Sequence, residues 1–81
     1  KPAERDLAVL DRPTRVKIVE ALEWLGDHFD DLTPLPLGGP FKGFFKFRIG
    51  DWRAVYTIQS DVRMLIVHYI GKRDKIYHRR G

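Results

Sequence analysis

The stretch Phe44-Phe45-Lys46-Phe47-Arg48-Ile49-Gly50-Asp51-Trp52-Arg53-Ala54-Val55-Tyr56 alternates apolar and basic residues on either side of a Gly-Asp pair, the pattern of two strands joined by a tight hairpin turn. With Gly50 and Asp51 at the centre of the turn, Ile49 meets Trp52 and Arg48 meets Arg53. Successive side chains point to opposite faces of a strand, so Lys46, Arg48 and Arg53 share one face and Phe45, Phe47, Ile49, Trp52, Ala54 and Tyr56 share the other. Two arginines directly opposed across a ladder cost from a few tenths to about 1 kcal/mol. An anion lying over both removes that cost, and a phosphate fits the paired guanidinium forks.

Downstream, the aromatic and branched residues of Val62 to Ile70 extend the hairpin into a meander of three strands over about 44–49, 52–59 and 62–70, with Ser60-Asp61 as a second two-residue turn. That turn sets Trp52 opposite Tyr69, Ala54 opposite Val67, Tyr56 opposite Leu65 and Arg53 opposite His68. Leu65, Val67 and Tyr69 then join the apolar face. His68 joins the cations, with Val55, Thr57, Met64 and Ile66 farther along, and the basic face becomes the floor of a cleft. Val62, Met64 and Ile66 are more apolar than an exposed face requires, which predicts partial cover by the loop, by the tail or by another chain. After Gly71 a basic tail, 71–81, carries Tyr77 among its cations, a pairing suited to stacking on a base and clamping a phosphate.

Upstream, Ala3, Leu7 and Leu10 recur at helical spacing, and the pattern stops at Asp11-Arg12-Pro13. Asp11 can cap a second helix whose first turn tolerates Pro13, with Ile18, Ala21, Leu22, Leu25 and Phe29 forming its apolar stripe. The expectation is an antiparallel helix pair over about 2–10 and 12–31 packed on the sheet, with Trp24 either packing or meeting a partner. Leu32 to Gly43 contains Pro34, Pro36, Gly38, Gly39, Pro40 and Gly43 and reads as a loop over 32–43. The predicted class is α+β, a single domain over 1–81.

The first forty residues carry a net charge of −3 and the remaining forty-one a net charge of +7, so the hairpin half is the binding half and a polyanion its natural ligand. With no cysteine, thiolate metal sites and thiol nucleophiles are excluded. His28, His68 and His78 lack ligand-like spacing, and neither metal nor cofactor is expected. No apolar run reaches the ~18 residues of a membrane span and no signal sequence opens the chain, which predicts a soluble cytoplasmic protein.

Leu37-Gly38-Gly39 through Gly43, then Phe45 to Tyr56 around Arg48-Ile49-Gly50-Asp51-Trp52-Arg53, and finally Ile70-Gly71-Lys72-Arg73-Asp74-Lys75-Ile76-Tyr77, resemble the RelE branch of the RelE/ParE toxin superfamily in order and spacing. The resemblance implies a toxin of a toxin-antitoxin pair: a metal-independent, ribosome-dependent endoribonuclease (mRNA interferase) that cleaves mRNA in the ribosomal A site, inhibits translation and is restrained by a cognate antitoxin. Position by position it implies Lys46, Arg48, Arg53, Arg73 and Tyr77 as catalytic residues; Lys42, Lys72 and Lys75 of the basic half are expected in addition to bind the substrate. Arg53 and Arg73 suit the developing charge, since a guanidinium does not deprotonate. Lys46, near Arg48 and Arg53, or Tyr77 is the candidate general base. His68 is a further acid-base candidate from the register alone. ParE-type relatives share the fold but inhibit DNA gyrase and lack the basic set, and an inactive antitoxin-binding or RNA-binding module is a third reading. Family members usually begin with a β-strand before the first helix, and this chain opens at the helix; the expectation is an open sheet edge suited to strand addition or self-association.

Overall fold

The computed structural model describes residues 2–59 and 61–72. Along the chain come α1 (Pro2–Ala8), α2 (Arg12–His28), a 3-10 turn (Phe29–Asp31), β1 (Leu35–Pro36), a second 3-10 turn (Gly39–Phe41), β2 (Phe45–Ile49), β3 (Trp52–Gln59) and β4 (Met64–Lys72). The strands form one antiparallel sheet in the order β1-β2-β3-β4, the α+β class that the sequence predicts. The segment 32–43 is not wholly loop, however. Leu35 pairs with Lys46 and Pro36 with Phe45, an edge position where a proline's missing N–H costs the sheet nothing.

Asp11 caps α2 as expected: its backbone is extended and its carboxylate accepts the Thr14 N–H at 3.4 Å. Hydrogen bonds from Thr14, first through its side chain and then through its backbone, hold the Asp11 carboxyl below the ordinary aspartate range. Ile18 and Leu25 of the stripe are fully buried. Ile18 joins Ala3, Ile49, Ala54 and Ile70 in the main core, with Leu7, Leu10, Leu22, Phe47, Trp52 and Val67 packed around them. One face of the sheet is thus covered by the helices.

Helix α1 packs chiefly on β4, and its Asp6 carboxylate accepts the Ile70 backbone N–H at 2.8 Å. That bond ties the first helix to the far edge of the sheet, sixty-four residues away in sequence. A partly buried hydrogen bond to a charged acceptor contributes about 1.5–3 kcal/mol, and water recovers part of it when the acceptor is removed. Asp6→Ala is therefore expected to lower the free energy of unfolding by about 1–2 kcal/mol, read as a shifted urea midpoint at unchanged slope; a midpoint within error of wild type would refute the tie.

The first hairpin has the predicted register, Ile49 with Trp52, Arg48 with Arg53, Phe47 with Ala54. Only Gly50 of its two turn residues has positive φ, +60°, as in a type II′ turn, where glycine belongs at the first central position. The second hairpin differs from expectation. Ser60-Asp61 is not its whole turn: β3 ends at Gln59 opposite Met64, and Arg63 takes the left-handed conformation at φ +52°. Four residues connect the strands, and a bulge at Val55/Tyr56 then shifts the register once more. Trp52 faces Lys72, Arg53 faces Gly71, Ala54 faces Ile70, Val55 faces Tyr69 and Tyr56 faces Val67, correcting the pairings of Trp52 with Tyr69, Ala54 with Val67, Tyr56 with Leu65 and Arg53 with His68. Ser60-Asp61 lacks the glycine that favours a two-residue turn, and the connection is longer, with Arg63 in the left-handed conformation. Val62 lies in that turn and β4 begins two residues later.

Candidate functional site

On the sheet face away from the helices, the corrected register arranges side chains in rows. Nearest the hairpin tip, Arg48, Arg53 and Gly71 lie across three strands; the next row is Leu35, Lys46, Val55 and Tyr69. Lys46, Arg48 and Arg53 share this face, as the alternation predicts. The cleft floor is not uniformly basic. Val55 is fully buried beneath Phe41, with Leu37, Phe44 and Tyr69 packed around the pair, because the segment from Leu37 to Phe44 folds across the middle of the sheet. Phe41 and Phe44 meet edge to face at 6.3 Å. The loop thus covers Val55 and Tyr69, whereas Val62 and Met64, for which cover was expected, are each 54% exposed.

Each cation has a different setting. Arg48 is exposed. Arg53 directly opposite is 8% exposed, and one guanidinium nitrogen donates both to the Gly50 carbonyl at 2.7 Å and to the Trp52 carbonyl at 2.8 Å. Arg53 therefore clasps the turn that precedes it, with its remaining N–H groups left for other acceptors. Lys46 is half-buried one row farther in. It lines two hollows, one of about 250 Å³ bounded by Leu32, Leu35, Phe47, Arg48 and Tyr56, the other of about 310 Å³ bounded by Leu37, Gly38, Pro40 and Phe41.

His68 does not join the arginines. The bulge places it farther along β4, where its Nε2 lies 2.9 Å from the Thr57 hydroxyl and its ring meets Phe44 edge to face at 5.0 Å. Lys72 is likewise removed from the basic face: opposite Trp52, its ammonium sits 5.6 Å above the indole on the helix side. Lys42 is exposed just after the second 3-10 turn. Arg73, Lys75, Tyr77 and His78 fall outside the described residues, so the catalytic and substrate-binding expectations placed on the tail are carried by sequence alone.

Tyr69 is the residue of this face that sequence reasoning missed. A two-residue turn sends it to the helix side, whereas the bulge brings it beside Val55. Tyr56, on the helix side, is buried, and burial raises its phenol above the ordinary tyrosine range. Trp24 is 46% exposed on α2 and stacks on His28 at 4.4 Å and on Phe47 at 6.3 Å, while His28 Nδ1 donates to the Trp24 carbonyl at 2.8 Å. Arg63 of the second turn pairs with Asp30 at the end of the helical segment, an exposed ion pair of small energetic weight. Among the described residues no helix is long and apolar enough to cross a membrane.

Residues 1–77 match the model of the family described as the ParE toxin of the type II toxin-antitoxin system parDE. Comparison with curated proteins returned no match. The family match agrees with the superfamily that the hairpin and tail motifs resemble, and it does not distinguish the RelE branch within it.

Proposed function

Because the chain belongs to the ParE toxin family of type II toxin-antitoxin systems, a cognate antitoxin is its implied partner, and we propose that it acts as a RelE-type cytoplasmic endoribonuclease on mRNA in the ribosomal A site. The observation that carries this reading is the convergence of Lys46, Arg48 and Arg53 on one face, with Arg48 directly across the ladder from Arg53. Such a pair is costly without an anion and favourable with one.

In the proposed reaction the ribose 2′-oxygen attacks the adjacent phosphorus, a 2′-O–P bond forms, and the P–O5′ bond breaks. The products are a 2′,3′-cyclic phosphate and a 5′-hydroxyl. The proton of the 2′-hydroxyl goes to a base, and the departing 5′-oxygen takes one up. Arg48 and the unused N–H groups of Arg53 hold the phosphate oxygens as charge grows on them, a task suited to fixed guanidinium forks. Neither arginine can serve as the base. Lys46, half-buried beside them, takes that role in this reading, with Arg73 and Tyr77 of the tail as further contributors and Lys42 and Lys75 as peripheral cations. Attack must be in line, so the substrate is single-stranded.

A second reading, inhibition of DNA gyrase, is favoured by the description of the matched family and by the two backbone carbonyls that already occupy Arg53. Ribosomes programmed with a defined mRNA separate the two. Cleavage by wild-type protein supports the nuclease; intact mRNA together with inhibited gyrase supercoiling overturns it.

A further inference from the structure

β1 pairs only with Phe45 and Lys46, and where it stops a hollow of about 250 Å³ opens at the edge of β2. Its lining takes Leu25, Phe47 and Tyr56 from the helix side and Leu35, Lys46 and Arg48 from the opposite face. Side chains of both faces meet around one space only where a sheet ends. Leu32 and Thr33, which lead into β1, complete the lining, so the space is a slot between two stretches of this chain and not an edge open to an added strand. Its volume is near the lower end for small-ligand sites, ~300 Å³, room for one ring with a short arm.

Tyr56 sets the chemistry of this slot. It is 3% exposed, its hydroxyl meets no hydrogen-bond partner among the described residues, and burial alone raises its phenol above the ordinary tyrosine range. Among the same residues no fully enclosed side-chain polar atom goes unpartnered, so the phenol oxygen keeps a little open surface, and the hollow is the opening that Tyr56 lines. Buried polar groups are normally hydrogen-bonded, and a few polar groups set in apolar walls are what orient a small ligand. Half-buried Lys46 and exposed Arg48 supply the charge complement of an anion. We propose that the slot binds a small carboxylic acid carrying one planar ring and a polar tip: the carboxylate meets Lys46 and Arg48, the ring lies against Leu25, Leu35 and Phe47, and the tip hydrogen-bonds to the Tyr56 hydroxyl. The site does not depend on which reaction the basic face performs.

The test titrates the protein with three probes and follows backbone amide chemical shifts: 4-hydroxyphenylacetate, phenylacetate, which lacks the polar tip, and tyrosol, which keeps the tip and replaces the carboxylate by an alcohol. Wild-type protein is expected to bind 4-hydroxyphenylacetate about threefold to tenfold more tightly than phenylacetate, the yield of one hydrogen bond. It is expected to bind the same acid about threefold more tightly than tyrosol, a margin that shrinks with added salt because the charges are partly exposed. The shifts that move should include the amides of Phe47 and Arg48. In Tyr56→Phe the two acids are expected to bind alike, with a thermal midpoint within error of wild type, since the hydroxyl has no partner to lose. The double variant Lys46→Ala/Arg48→Ala is expected to bind the acid and the alcohol alike. Equal affinity of wild type for the two acids, a preference for the hydroxyl that survives Tyr56→Phe, a preference for the carboxylate that survives the double variant, or absence of binding by all three probes overturns the proposal.

Discussion

Arg53→Ala is expected to lower the free energy of unfolding by about 2–4 kcal/mol, a large share of what an 81-residue domain possesses. The reason is local. Arg53 is 8% exposed, and a single nitrogen of its guanidinium bridges the carbonyls of Gly50 and Trp52 at 2.7 and 2.8 Å, closing the turn on which the register of the whole hairpin depends. Hydrogen bonds from a charged donor contribute roughly 1.5–3 kcal/mol each. Water at the turn recovers part of that in the variant, and removing Arg53 relieves its repulsion with Arg48, worth at most about 1 kcal/mol. The net remains strongly destabilising. For a domain of this size it corresponds to a fall in Tm of very roughly 10–25 °C. The exposed Arg48, which has no such role at the turn, is expected to change stability by less than about 0.5 kcal/mol when replaced by alanine. Thermal unfolding of the two variants side by side checks the contrast, and equal midpoints would refute the clasp. Lost activity in Arg53→Ala consequently reports on folding as well as on phosphate binding.

That double role shows where sequence reading stops. Gly50-Asp51 was legible because a glycine at the first position of a two-residue turn answers one backbone requirement, and the observed φ of +60° is that requirement met. The faces of β2 and β3 around the turn followed by alternation, and so did the placement of Lys46, Arg48 and Arg53. The stripe of α2 was legible for a similar reason, a period of 3.6 running through Ile18, Leu22 and Leu25. Ser60-Asp61 answers no such requirement. Its length depends on where a left-handed residue can be accommodated, and Arg63 provides it. The bulge that follows depends on packing from both sides of the sheet, so the positions of His68 and Tyr69 were beyond any local rule. The pairing of Leu35-Pro36 with β2 was hidden by the surrounding prolines and glycines, whose residues argue against a central strand but not against two residues at an edge. A side chain's second use is hidden in the same way: nothing in the spelling of Arg53 distinguishes a guanidinium turned toward a phosphate from one turned toward two carbonyls.

Lys46→Ala is expected to reduce ribosome-dependent mRNA cleavage by about 10²–10⁴-fold, the usual contribution of a positioned general base, while leaving the fold intact. Its place supports both halves of that expectation. Lys46 is half-buried and pairs with Val55 in mid-sheet, so its stem packs, yet it makes no contact comparable to the clasp of Arg53 on the turn. The stability change is expected to stay within about 1 kcal/mol. Lys46→Arg then separates charge from proton transfer. A guanidinium preserves the positive charge beside Arg48 but cannot give up its proton near neutral pH, so the arginine variant is expected to bind RNA at close to wild-type strength and still turn over at least about a hundredfold more slowly. Near-normal turnover in Lys46→Arg would assign Lys46 to charge stabilisation and move the base to the tail, where Tyr77 is the candidate that the resemblance supplies. Full cleavage by Lys46→Ala would remove it from the chemistry altogether. The four proteins, wild type, Lys46→Ala, Lys46→Arg and Arg48→Ala, assayed for cleavage and for gyrase inhibition in parallel, also decide between the two toxin mechanisms: a nuclease loses activity across this cationic face, whereas a gyrase inhibitor whose contacts lie elsewhere does not.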